Sequence, residues 1–200
     1  MLRGESPGRP DPTAREFAVV STSFPPTDGR VVTEFLYEHV APDDAVVLVT
    51  ATRSLADVIQ TYERPFAGPE SPSLSIITTG VDYRFSDAYH DIGVFGVPGV
   101  EDLTNITIGI TDLASDASDG PGEVHVVVPD LGPFLTNGVD LVARMLRSLT
   151  ANDAVTGAVV AGLEYTAHET SVVSAVHERA DAIVWAHELT DGSIRFTPAR

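Results

Sequence analysis

The sequence predicts an α/β fold of three layers: a mainly parallel sheet with helices on both faces and a C-terminal antiparallel hairpin. Three observations predict it. Short apolar runs recur without polar alternation, as in strands covered on both faces. Segments with helical periodicity separate these runs, so successive strands need crossover connections. Near the C terminus, Asp191-Gly192 lies between two short apolar runs, which is the strongest short-range hairpin signal.

The elements follow in order. Residues 1–14 are polar and rich in Pro and Gly and read as a disordered tail; residues 15–200 read as one α/β domain. Phe17 to Thr22 reads as a buried strand. A helix is expected from Arg30 to Val40, with Val31/Phe35 and Val32/Leu36/Val40 as apolar stripes. Ala45 to Thr50 is a second strand, and Ser54-x-x-Asp57 resembles a capping box before Leu55, Val58, Ile59 and Tyr62. Leu74 to Thr78 is a third strand. Residues Val81 to Val97 are the least readable. A helix is expected to open at Pro98 and to carry Leu103, Ile106, Ile110 and Leu113 on one face. Glu123 to Val128 is a fourth strand. A helix from Val139 to Leu149 is expected to bury Leu141, Val142, Met145, Leu146 and Leu149. Thr156 to Leu163 is a fifth strand, and Thr166-x-x-Glu169 reads as a second capping box. Ala182 to Ala186 and Ser193 to Thr197 form the hairpin.

Composition narrows the function classes. Acidic residues number 29 against 12 basic ones, for a formal net charge of -17, and every basic residue is arginine. Such a charge self-repels at low salt and is screened at molar salt, which predicts the protein of a halophile that keeps molar salt inside the cell. It is also poorly suited to gripping a phosphate backbone, so direct nucleic-acid binding is disfavoured. No apolar run is long enough to cross a bilayer, and the start of the chain lacks the apolar stretch of a secretion signal, so a cytoplasmic protein away from the membrane is expected. Cysteine is absent, which excludes disulfides, thiolate metal sites and a cysteine nucleophile.

In open parallel sheets, ligands sit beyond the carboxyl ends of the strands. The first such loop is Ser23-Phe24-Pro25-Pro26-Thr27-Asp28-Gly29-Arg30. A phosphate-binding loop there needs converging backbone N–H groups, a lysine and a Ser/Thr hydroxyl. Two prolines remove N–H donors, Asp28 adds a negative charge, and Arg30 is the one cation. The plain alternative is a capped turn with Asp28 as the helix N-cap.

The run Arg30 to Val40 contains Phe35-Leu36-Tyr37-Glu38 and resembles the helix after the Walker A loop in KaiC-like proteins of the RecA superfamily. Val46 to Tyr62 resembles that family's second strand-helix unit. Val124 to Leu131 resembles its Walker B strand, with Asp130 at the acidic position. Val159 to Leu163, the segment at His168-Glu169, Ala180 to Val184 and the hairpin resemble its closing pattern. The resemblance spans nearly the whole chain from Phe17 and is strongest to uncharacterised haloarchaeal members. It implies a RecA-like fold, and an ATP and magnesium site in members that keep their motifs. This chain departs from the pattern. Asp28-Gly29-Arg30 stands near the expected Lys-Thr pair, and Thr50 to Ser54 holds none of the carboxylates expected after the second strand.

These features predict a non-catalytic regulatory or protein-interaction module, with no catalytic residues and no cofactor, working in signalling through a protein partner or a homo-oligomer. The alternative is an ATP- or GTP-binding protein or weak NTPase that uses Thr27, Asp28, Gly29, Arg30 and Asp130, with Asp130 as the metal ligand. An unrelated small-molecule enzyme would need Asp130 beside a second titratable group in a deep pocket. The six histidines contain no H-x-x-x-H pair, His125 reads as a hydrogen-bonded interior residue, and no G-x-S-x-G elbow occurs. The sequon Asn105-Ile106-Thr107 falls inside an expected helix and carries no functional weight.

Overall fold

The computed structural model describes residues 15–24, 29–51, 55–63, 71–79 and 92–199. Its strands are β1 (Phe17–Thr22), β2 (Ala45–Thr50), β3 (Ser73–Thr78), β4 (Gly93–Gly96), β5 (Val124–Val128), β6 (Val159–Glu164), β7 (Ala182–Glu188) and β8 (Ile194–Pro198). The helices are α1 (Arg30–Tyr37), α2 (Leu55–Glu63), α3 (Leu103–Ala117), α4 (Val139–Thr150) and α5 (Thr170–His177). Among the described residues the strands form one sheet in the order β4-β3-β2-β5-β6-β1-β7-β8. Every pairing is parallel except β7 with β8, which closes the sheet as an antiparallel edge.

Side chains on successive strand residues point to opposite faces. Phe17, Val19, Val47, Val126 and Ala161 pack on one face against α3, α4 and α5. Val20, Val46, Leu48, Val127 and Val160 pack on the other against α1 and α2, joined there by Ile194 and Phe196 of β8. Both faces are covered, so β1 and β2 carry no polar alternation. Each fully buried Val or Leu contributes about 1.5–3 kcal/mol.

The structure corrects several expectations. Leu141 does not join the buried face of α4; it is 52% exposed. The buried stripe is Val142, Met145, Leu146 and Leu149, at spacings of three and four, and the residue before Val142 is rotated by about 100° out of it. Helix α1 stops at Tyr37 rather than Val40. The N–H groups of Glu38 and His39 donate to Phe35 and Leu36, tightening the last turn before Pro42, which has no N–H to continue it. Helix α3 begins at Leu103, not Pro98, because the Asp102 carboxylate caps it by accepting the Asn105 N–H at 3.1 Å. The Thr166-x-x-Glu169 box does not form. The Thr166 hydroxyl donates to Ser23 O at 3.3 Å and Glu164 Oε1 at 3.0 Å, and Glu169 is the N-cap without a side-chain cap. Strand β4 lies inside the stretch that the sequence left unread. The N-terminal tail, residues 1–14, and Ser54 of the first capping box lie outside the described residues.

Candidate functional site

The carboxyl ends of β1, β5 and β6 lie side by side and form the place where such sheets hold ligands. Thr22, the last residue of β1, is fully buried and organises the chain that leaves it. Its hydroxyl accepts the Phe24 N–H and donates to Phe24 O, both at 3.1 Å, and its carbonyl accepts the Tyr165 N–H at 3.0 Å. Thr27 and Asp28 lie outside the described residues. The next described residue, Gly29, has φ 64° and ψ -5°, the left-handed conformation that favours glycine. Gly29, not Asp28, is the N-cap of α1, and among the described residues no side chain caps the helix. The Gly29 carbonyl accepts both the N–H of Thr33, at 3.0 Å, and its hydroxyl, at 2.7 Å.

Arg30 is turned toward the C-terminal hairpin. Its Nε donates to Glu34 Oε1 at 2.6 Å, one helical turn on, and its Nη2 donates to Gly192 O at 2.6 Å. The hairpin turn offers that carbonyl because Gly192 takes φ 80° and Asp191 Oδ1 accepts both the N–H and the hydroxyl of Ser193. These bonds hold the Asp191 carboxyl below its ordinary range.

Asp130 follows β5, half-buried, and its Oδ1 accepts the Gly132 N–H at 2.9 Å. This bond starts the 3-10 turn Gly132–Asn137, which buries Phe134. The Leu131 N–H donates to Gly162 O at 2.8 Å and ties the turn to β6. His168, on the segment after β6, comes near Asp130. A β-carbon on Gly132 would lie 3.1 Å from Asp130 Oδ1 and 3.3 Å from His168 Nε2. Gly29 and Arg30 thus follow β1, and Asp130 follows β5, at the same end of the sheet, with His168 near Asp130. Among the described residues, no group of three or more His, Cys, Asp or Glu side chains is placed to hold a metal ion.

Two polar pairs escaped the sequence reading. Ser21, fully buried in β1, lies 2.7 Å through Oγ from His177 Nε2 at the end of α5. Burial lowers the His177 pKa. Trp185 stacks edge-on against both His177 and Tyr165, each with ring centroids 5.4 Å apart. The one available signal was Ser21 among apolar neighbours, on the strand face shared with Phe17 and Val19.

The second pair lies at the opposite, amino pole. Asp44, just before β2, accepts the Ala41 N–H at 2.6 Å and the Glu123 N–H at 2.8 Å. His125 of β5 is 4% exposed. Its Nδ1 accepts the Ala158 N–H at 3.1 Å, so Nε2 carries the hydrogen and faces Asp44 Oδ2 at 3.4 Å. Burial lowers the His125 pKa, against the opposing pull of Asp44 and Glu123. Burial and Asp44 raise that of Tyr62. The expectation of a hydrogen-bonded interior histidine holds.

Among the described residues no helix is long and apolar enough to cross a membrane. Solved structures share the fold. The flagellar accessory protein FlaH from Methanocaldococcus jannaschii matches with a TM-score of 0.50 and 9% identity, over 92% of this chain and 76% of that one. PH0321 from Pyrococcus horikoshii, solved in complex with an unknown peptide, matches with a TM-score of 0.54 and 12% identity, over 91% of this chain and 82% of that one. At such identities the likeness is one of fold, and the fold is RecA-like. Comparison with curated proteins gives no significant match. The model of one sequence family matches residues 18–186, and the chain belongs to that family, described as a family of unknown function (DUF7504).

Proposed function

We propose that this chain is a non-catalytic RecA-like module of a halophilic archaeon, cytoplasmic, which has lost the Walker A loop and acts by binding a protein partner or further copies of itself. The observation that carries this reading is the engagement of Arg30. It is the one basic residue between Ser23 and Arg30, and its guanidinium is bonded to Glu34 and to the Gly192 carbonyl. A triphosphate would have to displace both. The sequence supplies no lysine as a substitute, and no carboxylate between Thr50 and Ser54 to orient a water. Asp130 keeps the position of a magnesium-binding acid, yet its Oδ1 serves the turn at Gly132.

A peptide or protein partner agrees with the peptide-bound state of PH0321, whose fold this chain shares. The -17 charge favours a partner met in concentrated salt and disfavours nucleic acid. Calorimetric titration with ATP and magnesium in molar potassium chloride tests the reading. No heat of binding is expected at micromolar nucleotide, and a saturable isotherm would remove the proposal.

One observation favours a second reading, a nucleotide-binding protein that uses Thr27, Asp28, Gly29, Arg30 and Asp130, with Asp130 on magnesium. Gly29 has the left-handed backbone of a tight turn immediately before a helix, where N–H groups can face an anion. In that case the isotherm should appear and should weaken in Asp130→Asn.

A further inference from the structure

The buried ionisable cluster at the amino pole carries an inference that is independent of the functional reading. We propose that His125 is an acid-sensitive latch: its neutral ring joins the starts of β2, β5 and β6, and a second proton on that ring opens the join.

The geometry fixes the hydrogen positions. A backbone N–H can only donate, so the bond from Ala158 to Nδ1 requires an unprotonated Nδ1. The ring hydrogen is therefore on Nε2, facing Asp44. Asp44 reaches β5 as well, through the Glu123 N–H, and the preceding turn through the Ala41 N–H. One imidazole and one carboxylate thus connect three segments that are distant in sequence. The ring packs directly on the Gly157 backbone. A β-carbon on Gly157 would lie 2.5 Å from its Nδ1 and Cε1, so the ring occupies the space that any other residue there would fill.

A second proton would set Nδ1–H against the Ala158 N–H, donor against donor, inside the fold. The surroundings pull in both directions. Asp44 and, at 3.9 Å, Glu123 favour the charged ring. Burial and His39, from the turn after α1, oppose it, and burial is the largest influence. Tyr62 of α2 is close enough for the Asp44 charge to raise its pKa, and Gly157 and Ala158 bring no titratable group from the start of β6. The His125 pKa in the fold lies below the ordinary 6.5. The stability it supports is therefore complete above the unfolded value and is lost as pH falls toward the folded one. The loss therefore sets in as pH falls below about 6.5.

The test uses nuclear magnetic resonance on the full chain, in the salt that keeps it folded. Imidazole nitrogen shifts are expected to show the Nε2–H tautomer of His125 at neutral pH. Amide exchange at Ala158, corrected for the intrinsic effect of pH, is expected to show opening that rises up to roughly tenfold per unit of acidification from pH 6.5 to 5. In His125→Asn, whose amide oxygen can take the Ala158 bond without titrating, that rise should vanish. An Nδ1–H tautomer, pH-independent opening in the wild type, or the same acid response in His125→Asn would each overturn the proposal. The first two are read on the unmodified protein, so they decide the matter even where the variant does not fold.

Discussion

The two ends of the sheet use polar residues differently. At the amino pole, Asp44 and His125 are buried, and their hydrogen bonds run to backbone groups of neighbouring segments. At the carboxyl pole, Arg30, Asp130 and His168 are half-buried; Asp130 shapes the turn at Gly132, and Arg30 ties its own helix to the hairpin carbonyl of Gly192. A buried polar group left without its partner costs far more than an exposed one. His125 and Asp44 therefore behave as part of the core, as do Ser21 and Thr22 at the end of β1, whereas the half-buried Arg30, Asp130 and His168 can change at smaller cost to the fold.

Substitutions at the two poles can break this comparison. The largest effect is expected for Asp44→Ala, which strands the N–H groups of Ala41 and Glu123 and the Nε2–H of His125. A loss of about 3 kcal/mol should be seen in denaturant unfolding. Next comes Gly122→Ala. Its β-carbon would lie 2.1 Å from the Asp43 carbonyl oxygen, and backbone cannot step aside as a side chain can. Overpacking of this kind should cost about 2 kcal/mol by the same measurement. Arg30→Ala should cost about 1 kcal/mol, through the lost bond to Gly192 O and the exposed pair with Glu34. The smallest effect belongs to Gly132→Ala, whose new methyl would meet only the side-chain ends of Asp130 and His168, at 3.1 and 3.3 Å. It should stay within about 0.5 kcal/mol. If Gly132→Ala proved as damaging as Gly122→Ala, the poles would not differ in the way described.

The sequence made the layers legible and left the ends of elements obscure. Strands β1 and β2 could be read residue by residue, because burial on both faces demands continuous apolar runs. Asp191-Gly192 marked the hairpin because glycine meets a positive φ without strain. Strand β4 was missed for a specific reason. It is four residues long and bounded by glycines, and its Phe95 packs against Gly109 of α3, a tertiary contact that leaves no local periodicity. The cap of α1 was placed one residue early because side-chain preference favours Asp, whereas the chain turns at Gly29 through its backbone. At the site, Asp130 and Arg30 stood out by position in the resemblance. The nearness of His168 to Asp130, and of His177 to Ser21, depends on loops whose paths no spacing rule fixes. His125 was readable as an interior residue, but its partner Asp44, 81 positions away, was not.

The central claim is that the first loop no longer holds a triphosphate. A crystal structure determined from brine that contains ATP and magnesium addresses it directly. The expected result is an Arg30 guanidinium still on Glu34 and Gly192, with no nucleotide beside it. An ordered adenine nucleotide whose phosphates lie between Phe24 and Arg30, with magnesium near Asp130, would contradict the claim.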